Sequence, residues 1–437
     1  MFFVNFLYFG IVNCKIYNVL DFGVEGDGQI DDSKAFIEAW KTMCGDEGDT
    51  KTILIPSGHT FLLQPLQFEG PCGSSPVFQM DGDIVAPSEQ RLGLDLNQKY
   101  HKWIAFSNVN DLTVFGSGSI NGFGSSFWEA MDFHNCNNLN ISGITSKDSP
   151  RNHISINSCN NVVISNIQLF APEKSPNTDG IDISTSTNVT ISKSTIGTGD
   201  DCIALNTGSV NINITEIVCG PGHGISIGSL GANGQVAKVE NVQVTHCIFN
   251  KTSNGARIKT WQGGEGYAKH IYFEHITVID VINPIIIDQQ YIDKRHINFE
   301  AEKDSEAVAI SDVKFIDFHG TSPNEKFITL NCSKIKPCKN IVVNGIDIFY
   351  RVVINVYKRI SGNNTNTDGA KALETHADMA LRLAKELENT TISDSDKETV
   401  RRDLFGSEST QFVVFTEQIS AHDFPIGIAN LLAFKFF

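Results

Sequence analysis

Residues 160–165 read Asn-Asn-Val-Val-Ile-Ser and residues 187–192 read Thr-Asn-Val-Thr-Ile-Ser, so one short pattern returns after 27 positions. The pattern is Asn or Asp, an aliphatic residue, any residue, and a second aliphatic residue. It starts at Asp111, Asn138, Asn161, Asn188, Asn211, Asn241 and Asn340, with weaker copies at His270 and Asp312. Successive intervals are 27, 23, 27, 23, 30, 29, 42 and 28, and the longest marks an inserted loop. Units of this size cannot bury their own apolar faces, so they stack into a solenoid.

No helical periodicity is visible between about residues 105 and 350, where short strands alternate with Gly, Asn and Ser turns. The repeat therefore predicts an all-β fold, a single-domain right-handed parallel β-helix, rather than a leucine-rich repeat or a propeller. A β-sandwich is the alternative, and it would show no fixed period. Residues 31–43 have the pattern of an amphipathic helix capped by Asp or Ser. Such a short N-terminal helix would cover the first coil.

The pattern divides the chain into three parts. Residues 17–360 are expected to form the parallel β-helix and to carry any catalytic site. Residues 361–437 form a divergent tail, partly helical because apolar residues between 368 and 388 recur at helical spacing. Residues 1–16 include an apolar run too short to span a bilayer, which we interpret as a signal peptide or apolar leader, with a buried strand as the alternative. No other run reaches ~18 apolar residues, so no transmembrane helix is expected.

Composition limits the compartment and the partners. Ten cysteines without a CxxC pair suit an oxidising compartment. Seven Asn-x-Ser/Thr sequons give mild support to a secreted, extracellular glycoprotein: Asn140, Asn188, Asn213, Asn250, Asn331, Asn363 and Asn389. The formal net charge of −16 argues against nucleic acid or an anionic membrane as a partner, because nothing offsets phosphate repulsion. An acidic polysaccharide would have to bind through a few local cations.

Two carboxylates and an imidazole recur at a fixed spacing. Asp179, Asp201 and His223 are evenly spaced along the chain (201 − 179 = 223 − 201 = 22). Since strands of adjacent coils lie ~4.8 Å apart, this spacing stacks the three side chains on successive rungs. Asp200 precedes Asp201, and Gly199 permits a turn or bulge that points both carboxylates into one groove. Clustered carboxylates repel, so at least one should have a raised pKa, as hydrolysis of a glycosidic bond by a protonated acid and an ionised base requires.

A pair of cations lies further along the chain. Arg257 and Lys259 alternate across Ile258, so both face the same side of a strand and could bind an anionic sugar. Each motif alone has a simpler interpretation: Asp-Asp beside glycine is usually a turn, and Arg-x-Lys is usually a solvated face. Calcium is a further alternative, although two or three carboxylates are few for a dedicated site. The combination in register with the repeat favours a hydrolytic site.

These segments resemble a known family, the polygalacturonases of glycoside hydrolase family 28, and especially its plant members. The resemblance covers roughly residues 17–350 and is carried by residues 21–24, 175–180, 197–202, 219–228, 257–261 and 284–291. It implies a parallel β-helix that hydrolyses α-1,4 bonds between galacturonate units of demethylated pectin with inversion. It implies no cofactor and no metal, and we expect a monomer.

The resemblance also implies roles for the acidic residues. Asp200 would be the general acid, Asp179 and Asp201 would hold the attacking water as bases, and His223 would support protonation of the acid. Stacked rungs alone would suggest a carboxyl separation near the ~5 Å of retaining enzymes rather than the ~6.5–9.5 Å of inverting ones. The inverting outcome is therefore expected from the resemblance and not from the spacing.

The remaining implied roles concern the substrate and the disulfides. Asn177 would lie beside the base, Arg257 and Lys259 would clamp galacturonate carboxylates near the cleavage point, and Tyr291 would line the subsite. Ile292 follows this tyrosine where the family usually has cysteine. The resemblance suggests the disulfide pairs Cys202–Cys219 and Cys332–Cys338, with Cys44–Cys72 as a further candidate. The region after residue 360 does not resemble the usual end of the family.

Three other functions remain open from the sequence. The first is hydrolysis of rhamnogalacturonan or xylogalacturonan, against which the presence of both Arg257 and Lys259 argues. The second is a calcium-dependent lyase on the same scaffold, and the third is a non-catalytic β-helix that only binds pectin. Endo or exo action depends on loops at the ends of the groove, so the sequence does not decide it.

Overall fold

The computed structural model describes residues 14–46, 50–87, 102–124, 129–292, 307–355 and 411–420. Along these ranges the chain winds into stacked coils whose strands pair in parallel from one coil to the next. The architecture is the predicted right-handed parallel β-helix. No helix in the described part of the chain is long and apolar enough to cross a membrane.

The strands belong to two long sheets. In chain order they are β1 (Cys14–Asn18), β2 (Asp27–Asp31), β3 (Thr50–Ile55), β4 (Thr60–Leu62), β5 (Leu66–Glu69), β6 (Ser75–Met80), β7 (Asp83–Val85), β8 (Lys102–Ser107), β9 (Thr113–Phe115), β10 (Ser119–Asn121), β11 (Glu129–His134), β12 (Asn137–Ser142), β13 (Thr145–Lys147), β14 (Ile154–Asn157), β15 (Asn160–Ser165), β16 (Gln168–Phe170), β17 (Ile181–Ser184), β18 (Thr187–Gly197), β19 (Ile203–Leu205), β20 (Val210–Cys219), β21 (Ile225–Leu230), β22 (Val236–Thr245), β23 (Ile248–Asn250), β24 (Asn254–Trp261), β25 (Glu265–Ile279), β26 (Asn283–Tyr291), β27 (Ala309–Ser322), β28 (Ile328–Asn331), β29 (Lys339–Asn355) and β30 (Gln411–Ser420). One sheet consists of β5, β8, β11, β14, β17, β19, β21, β24, β26 and β28, and the other contains the remaining described strands. Two 3-10 turns cover Val19–Phe22 and Ala232–Gly234.

The asparagines of the repeat explain why the coils stay in register. Asn138, Asn161 and Asn211 have φ of 55°, 59° and 58°, in the left-handed region that asparagine tolerates better than most residues. Their side-chain amides then bond across coils: Asn161 Nδ2 donates to Asn138 Oδ1 at 2.8 Å. Asn211 Nδ2 donates to Asn188 Oδ1 at 3.0 Å. The repeat that predicted the fold is thus a turn and a hydrogen-bonded ladder together.

The second aliphatic residue of the repeat builds the interior. In the copies that start between Asp111 and Asp312 it points inward and stacks on its counterpart in the next coil, whereas Val343 in the last copy is partly buried. The members of this column are buried to 0–1% exposure: Val114, Ile141, Ile164, Ile191, Ile214, Val244, Phe273 and Phe315. Because adjacent rungs lie in contact, each coil buries the apolar face of its neighbour, as a solenoid requires.

The first coil is covered by the helix that the sequence predicts. Helix α1 (Ser33–Gly45) buries one face, on which Phe36 packs edge-on against Phe61 with ring centroids 5.4 Å apart. Trp40 packs against Phe68 at 4.9 Å. Asp32 is the residue before the helix, but its carboxylate accepts from backbone N–H groups at residues 25 and 26 and makes no capping bond. The predicted helix and its place are confirmed, while the side-chain cap is absent.

The three disulfide pairs suggested by the resemblance are all formed: Cys44–Cys72, Cys202–Cys219 and Cys332–Cys338. Residues 1–13 of the predicted leader lie outside the described residues, and the chain enters the sheet at β1, which pairs with β3. The predicted helical stretch at 368–388 also lies outside the described residues, as do residues 293–306 within the longest interval of the repeat. In the tail, β30 runs antiparallel to β29. The domain limits at 17–360 and 361–437 stay predictions.

Candidate active site

The predicted column of side chains is present, and strand register explains it. Asp179, Asp201 and His223 each stand two residues before a strand of the ten-stranded sheet. The first residues of these strands, Ile181, Ile203 and Ile225, are directly paired from coil to coil. The backbone is bonded across the same step, because the Gly180 N–H donates to the Asp201 carbonyl at 2.8 Å. The even spacing in the sequence therefore corresponds to one coil at this place.

The column extends beyond the three residues that the spacing identifies. Counting two residues back from the corresponding paired positions in β14, β24 and β26 adds Asn152, Asn254 and Asn283. Asn254 Nδ2 donates to the carbonyl of His223 at 3.2 Å, and Asn283 Nδ2 donates to Asn254 Oδ1 at 3.2 Å. Asn152 Nδ2 donates to Asp182 Oδ2. The even count of 22 misses these amides, because the steps to them are longer (179 − 152 = 27, 254 − 223 = 31 and 283 − 254 = 29).

Asp201 is the most enclosed of the carboxylates, with a side-chain exposure of 1%. Its Oδ1 accepts from Arg257 Nη2 at 2.5 Å and from Ser226 Oγ at 2.8 Å, and its Oδ2 accepts from Lys259 Nζ at 2.8 Å. Burial by itself would raise the pKa of Asp201, but the two cations and these hydrogen bonds outweigh it and lower the pKa. Asp201 is therefore held as a carboxylate.

Asp200 faces the groove and contacts the histidine. Its Oδ1 lies 2.8 Å from His223 Nδ1, and the His223 backbone N–H donates to the Asp200 carbonyl at 2.7 Å. The side chains are 19% and 41% exposed, so a ligand in the groove can reach both. Residues 199–202 lie outside the strands, and this turn brings oxygens of Asp200 and Asp201 within 4.8 Å of each other. The bend expected at Gly199 is present, but it points only Asp200 into the groove, because the Asp201 side chain is buried and is not part of the groove lining.

Asp179 has the opposite electrostatic environment from Asp201. Burial raises its pKa first, and the negative charges of Asp182, Asp201 and Asp200 raise it further. Lys259 opposes the shift without cancelling it, so the pKa of Asp179 stands well above its ordinary value. The prediction that one carboxyl of the cluster has a raised pKa is confirmed, and the structure assigns that property to Asp179.

The groove over these side chains has a volume of about 450 Å³. Its lining includes the site residues Asn177, Asp200, His223, Arg257, Lys259 and Tyr291, together with Glu173, Lys174, Ser175, Pro176 and Gly199. Lys259 Nζ lies 5.5 Å from the centre of the Tyr291 ring, which packs edge-on against Trp261 at 5.6 Å. Asn177 adopts φ of 54° in the loop before Asp179. The sequence patterns did not single out Ser226 or Lys174.

Asp200, Asp201 and His223 come close enough together to be considered as metal ligands. The donor set does not suit a divalent ion. Asp201 already accepts from Arg257, Ser226 and Lys259, and His223 Nδ1 is engaged with Asp200. The positive charges of Arg257 and Lys259, both next to Asp201, would repel a metal ion. Calcium also usually takes six to eight oxygen ligands, and this cluster has only two carboxylates.

A carboxyl with a raised pKa and an ionised carboxylate, next to a groove that Asp200 and His223 line, are groups that an enzyme cleaving glycosidic bonds requires. Comparison with known proteins agrees, since the family described as "Glycosyl hydrolases family 28" matches residues 44–368. The chain belongs to this family, and it is a glycosidase. The resemblance and the fold expected from the sequence are thereby confirmed.

Two curated relatives and one solved structure show the extent of the similarity. The chain is 50% identical over 357 residues to "Probable polygalacturonase At3g15720" of Arabidopsis thaliana, covering 79% of this chain and 77% of that one. It is 40% identical over 351 residues to a "Polygalacturonase" of Malus domestica, covering 76% and 74%. The crystal structure of an endo-xylogalacturonan hydrolase from Aspergillus tubingensis is similar with a TM-score of 0.63 and 26% identity, covering 76% of this chain and 92% of that one.

Proposed function

We propose that this glycosidase hydrolyses α-1,4-galacturonosyl bonds of demethylated pectin in a single displacement with inversion. The observation that carries the proposal is the placement of Arg257 and Lys259 in the groove, where each contacts Asp201. These cations give a chain of net charge −16 a local site for an anionic sugar. Curated relatives named polygalacturonase support the same substrate.

In the proposed reaction, Asp200 protonates the glycosidic oxygen of the leaving sugar. Its exposure to the groove supports this role, because a general acid must reach the substrate. Its 2.8 Å contact with His223 supports the role too, because the histidine would support protonation of the acid. Asp201 remains ionised beside its two cations and accepts a proton from the attacking water. Asp179 holds the same water, and its raised pKa makes it the stronger base once it is ionised.

The raised pKa of Asp179 also supports a different assignment of the acid. If the acid were chosen only by its raised pKa, Asp179 would be the proton donor. The contact with His223 and the position in the groove favour Asp200. The two assignments differ in the pH profile, because loss of the acid removes the limb of activity at higher pH. Asp200→Asn should remove that limb, and Asp179→Asn should alter the limb at lower pH.

Substrate contacts and localisation complete the proposal. Arg257 keeps three guanidinium N–H groups beyond those bonded to Asp201 and Ser226, and these would bind a galacturonate carboxylate. Tyr291 would line the same subsite, and Asn177 would lie beside the water. We further propose that the enzyme acts outside the cell, as the expected apolar leader and the three disulfides suggest, while the monomer stays a prediction.

Release of reducing ends from polygalacturonate tests the proposal, with rhamnogalacturonan and xylogalacturonan as competing substrates. Asp200→Asn should lower the rate by about 10²-fold or more, a typical scale for loss of a general acid. Asp317→Asn is a matched control, because Asp317 also contacts a histidine, His275, at 2.7 Å, but at an exposed position outside the groove. Faster release from either competing polymer would overturn the substrate, and an unsaturated product would indicate a lyase. Proton NMR of the fresh product reports inversion.

A further inference from the structure

Ser226 contacts two site residues although no role above requires it. It lies in β21 with 0% exposure, and it is paired with Ala204 of β19 and Arg257 of β24. Its Oγ lies 2.8 Å from Asp201 Oδ1 and 2.8 Å from Arg257 Nε. The hydroxyl therefore stands between the buried carboxylate and the guanidinium, on the side of the cluster away from solvent.

The direction of both hydrogen bonds follows from the chemistry of the partners. Arginine Nε carries a hydrogen and has no acceptor capacity, so Ser226 Oγ must accept from it. The single hydroxyl proton of Ser226 is then directed to Asp201 Oδ1, which must be an unprotonated acceptor. Arg257 Nη2 donates to the same oxygen, so the three side chains close a ring of hydrogen bonds.

This ring determines which oxygen of Asp201 can act on water. An ionised carboxylate offers about four acceptor positions, two on each oxygen. Oδ1 accepts from Ser226 and Arg257, whereas Oδ2 accepts from Lys259 alone among the described contacts. One acceptor position is left on Oδ2. The guanidinium is fixed at the same time, because Nε donates to Ser226 and Nη2 donates to Asp201, which leaves the Nη1 group for a ligand.

We propose that Ser226 is a positioning residue that ties Arg257 to Asp201 and leaves Oδ2 of this carboxylate to bind and deprotonate the attacking water. The proposal rests on the function proposed above, because the water and its attack belong to that reaction. The proton of the water passes to Asp201 Oδ2, and the new C–O bond forms as the glycosidic bond breaks and its oxygen takes the proton of Asp200.

The test compares Ser226→Ala with Ser186→Ala. Ser186 is a matched control, because it is also 0% exposed and also accepts one hydrogen bond, from the Cys159 N–H, and donates one, to the Ser184 carbonyl. It contacts none of the groove residues in the described structure. Both variants lose a buried hydroxyl with two bonds, so a general loss of stability affects them alike.

The first measurement needs no substrate and compares the folding equilibrium at pH 7 and pH 3. Since the folded pKa of Asp201 is lowered, this carboxylate stabilises the fold above its unfolded pKa, and the contribution is lost as the pH falls through the folded pKa. Removing a donor lessens the shift. Ser226→Ala should therefore lower the folding equilibrium constant about tenfold more at pH 7 than at pH 3, a difference of about 1.4 kcal/mol. Ser186→Ala should lower it equally at both.

The second measurement is the pH profile of kcat and kcat/KM on polygalacturonate. Ser226→Ala should lower kcat by about tenfold or more and move the acidic limb to higher pH, whereas Ser186→Ala should change neither. The other titratable or charged groups that face Asp201 are Arg257, Lys259, Asp179, Asp200 and His223, and both variants retain them.

Two outcomes would overturn the positioning role: a wild-type acidic limb in Ser226→Ala, or the same shift in both variants. If the wild type does not hydrolyse polygalacturonate, the proposed function fails while the stability measurement still decides the role of Ser226. Should the alanine variant not fold, Ser226→Cys replaces the hydroxyl by a weak donor of similar size, with the same expectations.

Discussion

Lys259→Met removes one of the two cations that balance Asp201 while retaining an unbranched side chain. The Lys259 side chain is 11% exposed and the Asp201 side chain 1%, so the 2.8 Å contact between Nζ and Oδ2 is largely protected from water. Breaking a buried pair by removing one partner costs about 3–5 kcal/mol, because the remaining charge is uncompensated. Arg257 and Ser226 still contact Asp201, so we expect a loss of about 2–3 kcal/mol at pH 7.

The pH dependence separates this electrostatic loss from a packing defect. The folded pKa of Asp201 is lowered, so its stabilising contribution is present above the unfolded pKa and disappears as the pH falls through the folded pKa. Lys259→Met reduces that lowering. The loss of stability should therefore be largest at neutral pH and shrink towards pH 3, where Asp201 takes up its proton more readily in the variant.

Urea denaturation of wild type and variant at pH 7 and pH 3 measures this difference. Lys269→Met is the matched control, since Lys269 contacts Glu240 at the same 2.8 Å but on the solvent-exposed surface. We expect no resolvable change in its denaturation midpoint at either pH. A loss of equal size at both pH values for Lys259→Met would refute the reasoning, because packing alone does not depend on the charge of Asp201.

Two further predictions concern the acidic cluster and the core. Asp179→Asn should lower hydrolysis by about 10²-fold. It should also raise the denaturation midpoint at neutral pH, because a folded pKa that is raised makes the ionised group destabilising above its unfolded pKa. Phe106→Ala should destabilise the protein by about 3–5 kcal/mol in denaturant titrations, since this 1% exposed ring stacks on Phe133 at 5.1 Å and packs against three other rings. Phe123→Ala, at a 60% exposed ring, should leave the midpoint unchanged.

The sequence predicts the column of Asp179, Asp201 and His223 well because that part of the repeat is regular. Between β17 and β21 every coil has the same length, and the register is unbroken from Ile181 to Ile203 to Ile225. Simple counting therefore places Asp179, Asp201 and His223 above one another. The alternation of Arg257, Ile258 and Lys259 works for the same reason, since a strand presents every second residue to one side. Ile258 is buried, and both cations contact Asp201.

Counting fails where a coil changes length. The step from β21 to β24 is longer, because Ser226 pairs with Arg257 (257 − 226 = 31). His223 consequently opposes Asn254, and not Arg257, which lies beyond it in the sequence. The position of Ser226 beneath the cations follows only from this register. The sequence also does not predict which carboxyl has a raised pKa and which a lowered one. That depends on which acid lies beside the cations and which lies among other acids.

The regular stacking of coils has a consequence for the size of ligand that the protein accommodates. From the coil of Asp179 to that of Tyr291 there are four steps, through β17, β19, β21, β24 and β26. At ~4.8 Å a step, the groove between these two coils is about 19 Å long. The number of stacked coils therefore sets the length of polymer that the groove could bind under the proposed function. Under the proposed function, duplicating a coil at either end would lengthen the stretch of polymer bound and leave the proposed catalytic residues in place.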